Sequence, residues 1–330
     1  MVLVTIFLFA VGLLFLVKGA DFLIEGSSKI AERLGISKLV VGLTIVAFGT
    51  SLPELSVSLI SALQGNADIS IGNIVGSNII NIGFILGLSV IIFPIAIHMA
   101  AILREIPILI FISLIFFLLS FDSFFGFPYN FLLIFDGAIL LLIFLYFLHY
   151  VLKVAKKQRS LPEQLKEAGE KIKGFFIKKE PYKRLIFFIL TGLGGTIIGG
   201  KILVDSASEI ARLAGVNDAI IGLTLVAIGT SLPELFTNVM ASLKKHSEIA
   251  IGNIVGSNIF NIGFILGISS LITPINISAK FFTDYLFMLF YAVILLPLAF
   301  SRRNLSRLEG FFMLAVYVFY IITLSANLPP

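Results

Sequence analysis

The chain has 330 residues, 58% of them hydrophobic and only 13% charged, with a formal net charge of +5 and no cysteine. Soluble domains run nearer half apolar and a quarter charged, so this composition excludes an ordinary soluble domain and points to an integral membrane protein. The missing cysteine excludes disulfides and thiolate metal sites, and the basic surplus reads as membrane topology rather than nucleic-acid binding.

Apolar runs of about 20 residues can cross a ~30 Å hydrocarbon core as helices. Ten occur in order, at roughly 2–18, 39–63, 69–93, 106–121, 129–151, 185–204, 219–243, 249–273, 283–300 and 309–325. The first is too long for a signal-peptide core and has no basic n-region or small-residue cleavage site, so it is expected to stay as a helix. Between the fifth and sixth runs, Lys153 to Arg184 holds 11 of the 24 Lys and Arg. The positive-inside rule places that stretch in the cytoplasm. Counting spans outward from it puts 21 basic residues inside and leaves only Lys201, Arg212 and Lys280 outside, with both termini extracellular. The expected division is a first five-helix repeat (1–152), a cytoplasmic linker (153–184) and a second five-helix repeat (185–330).

The two halves overlay when shifted by 180 residues. From Ile71 to Val90, 17 of 20 positions match Ile251 to Ser270, and from Val41 to Ile60, 12 of 20 match. Five spans separate equivalent points, and an odd number reverses direction across the membrane. The pattern is therefore an all-α membrane protein with ten transmembrane helices in two inverted repeats, an architecture that holds substrate at the midplane between halves. Duplication kept for packing alone would not spare polar letters at this depth, where ionisable groups are functional by default.

Those letters are GTSLPEL, at Gly49–Leu55 and again at Gly229–Leu235, and IGNIVGSNI, at Ile71–Ile79 and Ile251–Ile259. Pro53 has no amide hydrogen and crowds the carbonyl of Gly49, so the second span should kink there. Carbonyls loosened by the kink are tolerable only facing a cavity or an ion. Thr50, Ser51 and Glu54 fall on one helix face, and Asn73, Ser77 and Asn81 form a stripe at intervals of four. Gly72 and Gly76 make a small-xxx-small pattern suited to close helix approach. The second half repeats all of this with Thr230, Ser231, Pro233 and Glu234, then Asn253, Ser257 and Asn261 beside Gly252 and Gly256. Two carboxylates among hydroxyls, amides and carbonyls form an all-oxygen cage, which suits hard cations and disfavours zinc or copper. One Ca²⁺ would neutralise the pair, and without a cation two adjacent carboxylates in a low dielectric would not both stay ionised.

GTSLPEL with GNIVGSN, present in both halves, resembles the alpha repeats of the sodium/calcium exchanger family, over about 19–94 and 199–274. The resemblance implies a core of spans two, three, seven and eight, with spans one and six sliding across it. It implies that Glu54 and Glu234 are the principal Ca²⁺ ligands, shared with Na⁺, and that Thr50 and Thr230 add backbone oxygens. Ala47, Ser51 and Ser77 match one outlying sodium site, and Ala227, Ser231 and Ser257 its mate. Asn81 and Asn261 match the central position; potassium-dependent members carry Asp at the place of Asn261, so potassium independence is expected. The implied function is secondary active exchange of Na⁺ for Ca²⁺ by alternating access, electrogenic, with no cofactor and no enzymatic activity. A Ca²⁺/H⁺ antiporter of the same fold, a cation channel and an intramembrane protease are the competing readings. The implied partners are the two ions and the lipid bilayer. Away from the motifs, Asp136, His98, His149 and His246 read as helix-end or loop residues. Asp21, Glu25, Asp205 and Glu209 fall beyond the first and sixth spans, as solvated helix ends or as lining of access routes.

Overall fold

At bilayer depth no water can satisfy a free backbone amide, so apolar runs fold as helices. The computed structural model describes residues 2–99, 101–121, 130–167, 180–213 and 227–326, and these are helical almost throughout. The first half contains α1 (Val2–Leu34), α2 (Lys38–Thr50), α3 (Leu52–Leu63), α4 (Ala67–Ile92), α5 (Ala101–Ser120) and α6 (Ile134–Glu167). The second contains α7 (Tyr182–Leu213), α8 (Ala227–Gly229), α9 (Leu232–Leu243), α10 (Ser247–Ile272), α11 (Phe282–Arg302) and α12 (Arg307–Ala326). Among the described residues, eight helices are long and apolar enough to cross a bilayer, and α2 with α3 makes a ninth span bent by 48°. The expected seventh span begins outside the described residues and continues as α8 and α9.

Glycines show how the halves are related. A Cβ at Gly12 would lie 2.7 Å from the backbone of Leu203, one at Gly19 would lie 2.6 Å from Thr196, and one at Gly26 would lie 3.0 Å from Ile189. Numbers rise along α1 while they fall along α7, so these equivalent helices run antiparallel, as inverted repeats require. Their backbones touch because no side chain stands between them. The molecule is an all-α membrane protein with the inverted-repeat architecture.

The ends of α1 and α7 differ from the sequence reading, which stopped these spans at 18 and 204. Both helices run on to Leu34 and Leu213. Lys18, Asp21 and Glu25 lower the hydropathy, but none of them breaks a helix, and most of the charges find partners. Asp21 pairs with Lys244, and Lys29 lies 2.7 Å from both Glu25 and Glu180. Outside the spans, Lys29 holds the Glu180 carboxyl below the usual carboxylate range. The 33 residues of α1 reach about 50 Å at 1.5 Å per residue, longer than the hydrocarbon core. The helix must tilt or project beyond it. Likewise α6 continues to Glu167, inside the stretch read as linker.

Burial separates core from periphery. In the membrane-crossing stretch, 94% of α10 and 78% of α4 is buried, against 17–39% in the other six long helices. Asn78 Nδ2 donates to the carbonyl of Asn258 at 3.3 Å. These are equivalent positions, so the axis relating the repeats passes near this contact. Gly252 and Gly256 pack against α2, where a Cβ on either would come within 2.8 Å of the carbonyls of Leu39 and Leu43. A Cβ at Gly72 would lie 3.4 Å from the ring of Phe281; positions 219 and 223, equivalent to the two leucines, lie outside the described residues. Two short ribbons absent from the sequence reading tie the halves together. Strand β1 (Ile95–Ala96) pairs antiparallel with Asn304–Leu305, and Phe131–Leu132 pairs antiparallel with Ile275–Asn276.

Candidate ion-binding site

The site begins at two helix breaks. Pro53 sits in the first turn of α3, where its missing N–H leaves the ladder unclosed. The chain bends at Ser51, with φ −85° and ψ 11°. Ser231 takes nearly the same conformation, φ −88° and ψ 5°, before Pro233 in α9. Each break places a glutamate in the first turn of the following helix, where unpaired amides favour negative charge. Beside the breaks, Asn81 and Asn261 each open a π-wound turn, to Leu86 and Leu266. Such turns are frequent at functional sites.

The structure brings the predicted residues together at depth. Glu54, Glu234, Thr50, Ser51, Asn81, Ser257 and Asn261 are 0–1% exposed together with Ala47 and Ser231, and Ser77 is 3% exposed. Thr230 is half-buried, and Ala227 opens α8. The hydrogen bonds cross between repeats. Ser51 Oγ donates to Glu234 Oε1 at 2.9 Å, and Ser231 Oγ donates to Glu54 Oε1 at 3.1 Å. Thr50 Oγ1 donates to Asn253 Oδ1 and Thr230 Oγ1 to Asn73 Oδ1, both at 3.2 Å. Each half thus supplies donors to the acceptors of the other.

The flanking sets are regrouped relative to the sequence reading, which kept each within one half. Ser77 Oγ lies 3.2 Å from Ser231 Oγ and 3.4 Å from Glu54 Oε1. Ser257 Oγ donates to the carbonyl of Ala47 at 3.5 Å. Interlocking of antiparallel repeats is the reason: a serine on α4 meets the break in the other half. At the centre, Asn261 Nδ2 donates to Asn78 Oδ1 at 3.0 Å and to Ser77 Oγ at 3.3 Å. Glu54 Oε2, Glu234 Oε2, Asn261 Oδ1 and both polar atoms of the Asn81 side chain are buried without a partner.

That unfilled set decides what the site can do. An ionised carboxylate loses several kcal/mol of hydration on burial, and one hydrogen bond to a charged group returns about 1.5–3 kcal/mol. The serines therefore offset only part of the cost for each glutamate. No basic side chain pairs with either carboxylate among the described residues. A hard cation that draws on these oxygens would supply the remainder, and Ca²⁺ takes 6–8 of them.

Sequence reasoning passed over part of this network. Asn73 and Asn253 belong by spacing to a polar stripe, yet they fix the threonines of the opposite half. Asn78 and Asn258 stand inside the identical IGNIVGSNI copies, which was the available signal. Asn238 accepts from Asn253 Nδ2 at 3.4 Å and donates to Ser89 Oγ at 3.4 Å. Its counterpart is Ser58, so comparison of the repeats gives no sign of it. The residues set aside lie elsewhere: Asp136 Oδ2 accepts from Leu133 N at 2.7 Å, and His98 Nε2 lies 2.7 Å from Glu248. Burial, then the charges of Lys38 and Lys244, hold His246 below the usual imidazole range.

The family model for sodium/calcium exchanger protein matches residues 4–153 and 184–326. The sodium/calcium exchanger MaX1 of Methanosarcina acetivorans is 32% identical over 358 residues, covering 98% of this chain and 99% of that one. The inner membrane protein YrbG of Escherichia coli K12 is 34% identical over 308 residues, covering 89% and 88%. A solved structure of the sodium-calcium exchanger NCX_Mj superposes with a TM-score of 0.82 at 30% identity, with full coverage of both chains. Interlocked inverted repeats, two buried glutamates at matching helix breaks and these likenesses agree: the chain belongs to the sodium/calcium exchanger protein family.

Proposed function

We propose that this protein exchanges Na⁺ for Ca²⁺ across the membrane, with Glu54 and Glu234 as ligands shared by both ions. The observation that carries the reading is the reciprocal pairing of Ser51 with Glu234 and Ser231 with Glu54, which leaves one oxygen of each carboxylate unpartnered. Thr50 and Thr230, braced by asparagines of the opposite half, would turn backbone oxygens toward Ca²⁺. Ser51, Ser77, Ser231 and Ser257, with the carbonyls of Ala47 and Ala227, would complete flanking sites for Na⁺. Asn81 and Asn261 would hold the centre without adding charge. The likeness to two sodium/calcium exchangers supports this assignment. Ca²⁺ uptake into Na⁺-loaded proteoliposomes is the direct test.

Access to the site would alternate by sliding of α1 and α7. A Cβ at Gly49 would meet Leu193 at 2.4 Å, and one at Gly229 would meet Val204 at 2.6 Å. Helix α7 therefore lies against the glycine of both GTSLPEL motifs, at points about 16 Å apart along its axis. Movement along that axis would uncover one break while covering the other. The repeats at 1–152 and 185–330 would move as the two halves of this device, joined by 153–184.

Two expected results follow from the residues. A cysteine placed at Gln158 reacts with a membrane-impermeant thiol reagent only from the cytoplasmic face, and one at Asn327 only from outside. Both labelling from one side would contradict the ten-span orientation with extracellular termini. Because Asn81 and Asn261 are neutral, exchange proceeds at full rate in K⁺-free solution, and Asn261→Asp introduces K⁺ sensitivity. A wild-type protein inactive until K⁺ is added would overturn the assignment of the central position.

A further inference from the structure

Apart from the ion site, the surface carries a cavity of about 440 Å³ lined by Ile102, Leu103, Pro107, Leu296, Pro297 and Phe300. This is within the size range of ligand pockets. It lies between the start of α5 and the end of α11, and prolines shape both walls. Pro297 stands inside α11, where it interrupts the ladder and crowds the preceding turn. Pro107 follows the π-wound turn Ala101–Glu105. Every lining residue is apolar, and Leu103 and Phe300 are 61% and 59% exposed. The groove therefore opens on the lipid-facing surface, where a hydrocarbon chain fills apolar space without the cost of stranding water.

Two basic residues flank its lining in sequence. Arg104 adjoins Leu103, Arg303 lies three residues beyond Phe300, and both side chains are exposed. Arg303 caps α11 in the left-handed conformation, φ 52°, and its carbonyl accepts from Ile97 N at 2.9 Å, which holds the turn in place. The neighbouring acid, Glu105, is 3% exposed and accepts from Tyr150 Oη at 3.0 Å. It is turned inward, and Arg104 Nη1 donates to the same Tyr150 Oη at 3.5 Å while its side chain remains exposed. Basic pockets between transmembrane helices suit acidic lipid headgroups.

We propose that this groove is a binding site for an anionic phospholipid, with one acyl chain between α5 and α11 and the phosphate on Arg104 and Arg303. The proposal stands independently of the exchange reading. The chain contains no tryptophan, so Phe300→Trp creates a single fluorophore in the groove wall. The test reconstitutes it in phosphatidylcholine bilayers that contain either brominated-chain phosphatidylglycerol or brominated-chain phosphatidylcholine at equal mole fraction. Each arginine near the headgroup is worth about fivefold, so with two arginines quenching should show a preference for the anionic lipid of about 25-fold. Leu142→Trp, on the exposed face of α6 (Leu142 is 65% exposed), should show no preference and reports the bulk lipid. Adding Arg104→Ala and Arg303→Ala to Phe300→Trp should bring the preference to unity. Equal quenching of Phe300→Trp by both lipids, no quenching by either, or a preference that survives loss of both arginines would each overturn the proposal. Leu103→Trp, on the opposite wall, repeats the measurement if Phe300→Trp does not fold.

Discussion

Glu54→Gln and Glu234→Gln each abolish Ca²⁺ exchange while the protein remains folded and extractable. The two side chains differ by little in volume, and Ser51 and Ser231 can still donate to an amide oxygen, so packing around the breaks is kept. What disappears is half of the charge opposite the cation. Removing one partner from a desolvated ion pair costs about 3–5 kcal/mol, or roughly 10² to 4 × 10³ in affinity. Two readouts check this: Ca²⁺ flux in proteoliposomes, and the thermal stabilisation that Ca²⁺ gives the detergent-solubilised protein. Both should vanish in each variant, while the melting temperature without Ca²⁺ should not fall, because a buried charge without a basic partner has been removed. Wild-type flux in either variant would show that the reciprocal serine–glutamate arrangement is not the transport site.

Ca²⁺ enters proteoliposomes loaded with Na⁺ and diluted into Na⁺-free buffer of equal pH, and the rate depends on voltage. A proton needs only a titratable oxygen, so an H⁺-coupled exchanger has no use for four buried serine hydroxyls around two carboxylates. Na⁺ needs several oxygens at once, and the groups around Ser77 with Ser231, and Ala47 with Ser257, offer them on either side of the glutamates. If three Na⁺ leave for each Ca²⁺ that enters, one net positive charge leaves per cycle. An inside-positive potential should then speed uptake, and an inside-negative potential should slow it. One elementary charge is worth ~2.3 kcal/mol per 100 mV, which shifts the attainable Ca²⁺ gradient by about 50-fold. Uptake indifferent to voltage would rule out that ratio. Uptake driven by a proton gradient and absent under a Na⁺ gradient would assign coupling to H⁺.

Much of this molecule is fixed by its amino-acid sequence alone, because a membrane leaves the chain few options. Apolar runs must become helices, and a duplicated motif separated by an odd number of spans must be inverted. The glutamates announced themselves in the same way, since an acid beside a proline in an apolar run has no cheap structural use. Hydropathy also misled where charges could be paired. The sequence reading ended α1 near residue 18, yet Asp21 and Lys29 found partners in Lys244 and Glu180 and the helix ran on. The tertiary structure alone decided which groups meet. Ser77 belongs with Ser231 and Ala47 with Ser257, because antiparallel repeats interlock and set each serine against the break of the other half. Asn238 joined the network although its counterpart is a serine, since its place depends on Asn253 on the next helix and on Ser89, 149 residues away in sequence. Periodicity along a helix tells which residues share a face; which helix that face meets depends on packing between segments 149 to 210 residues apart in sequence, and no local pattern encodes it.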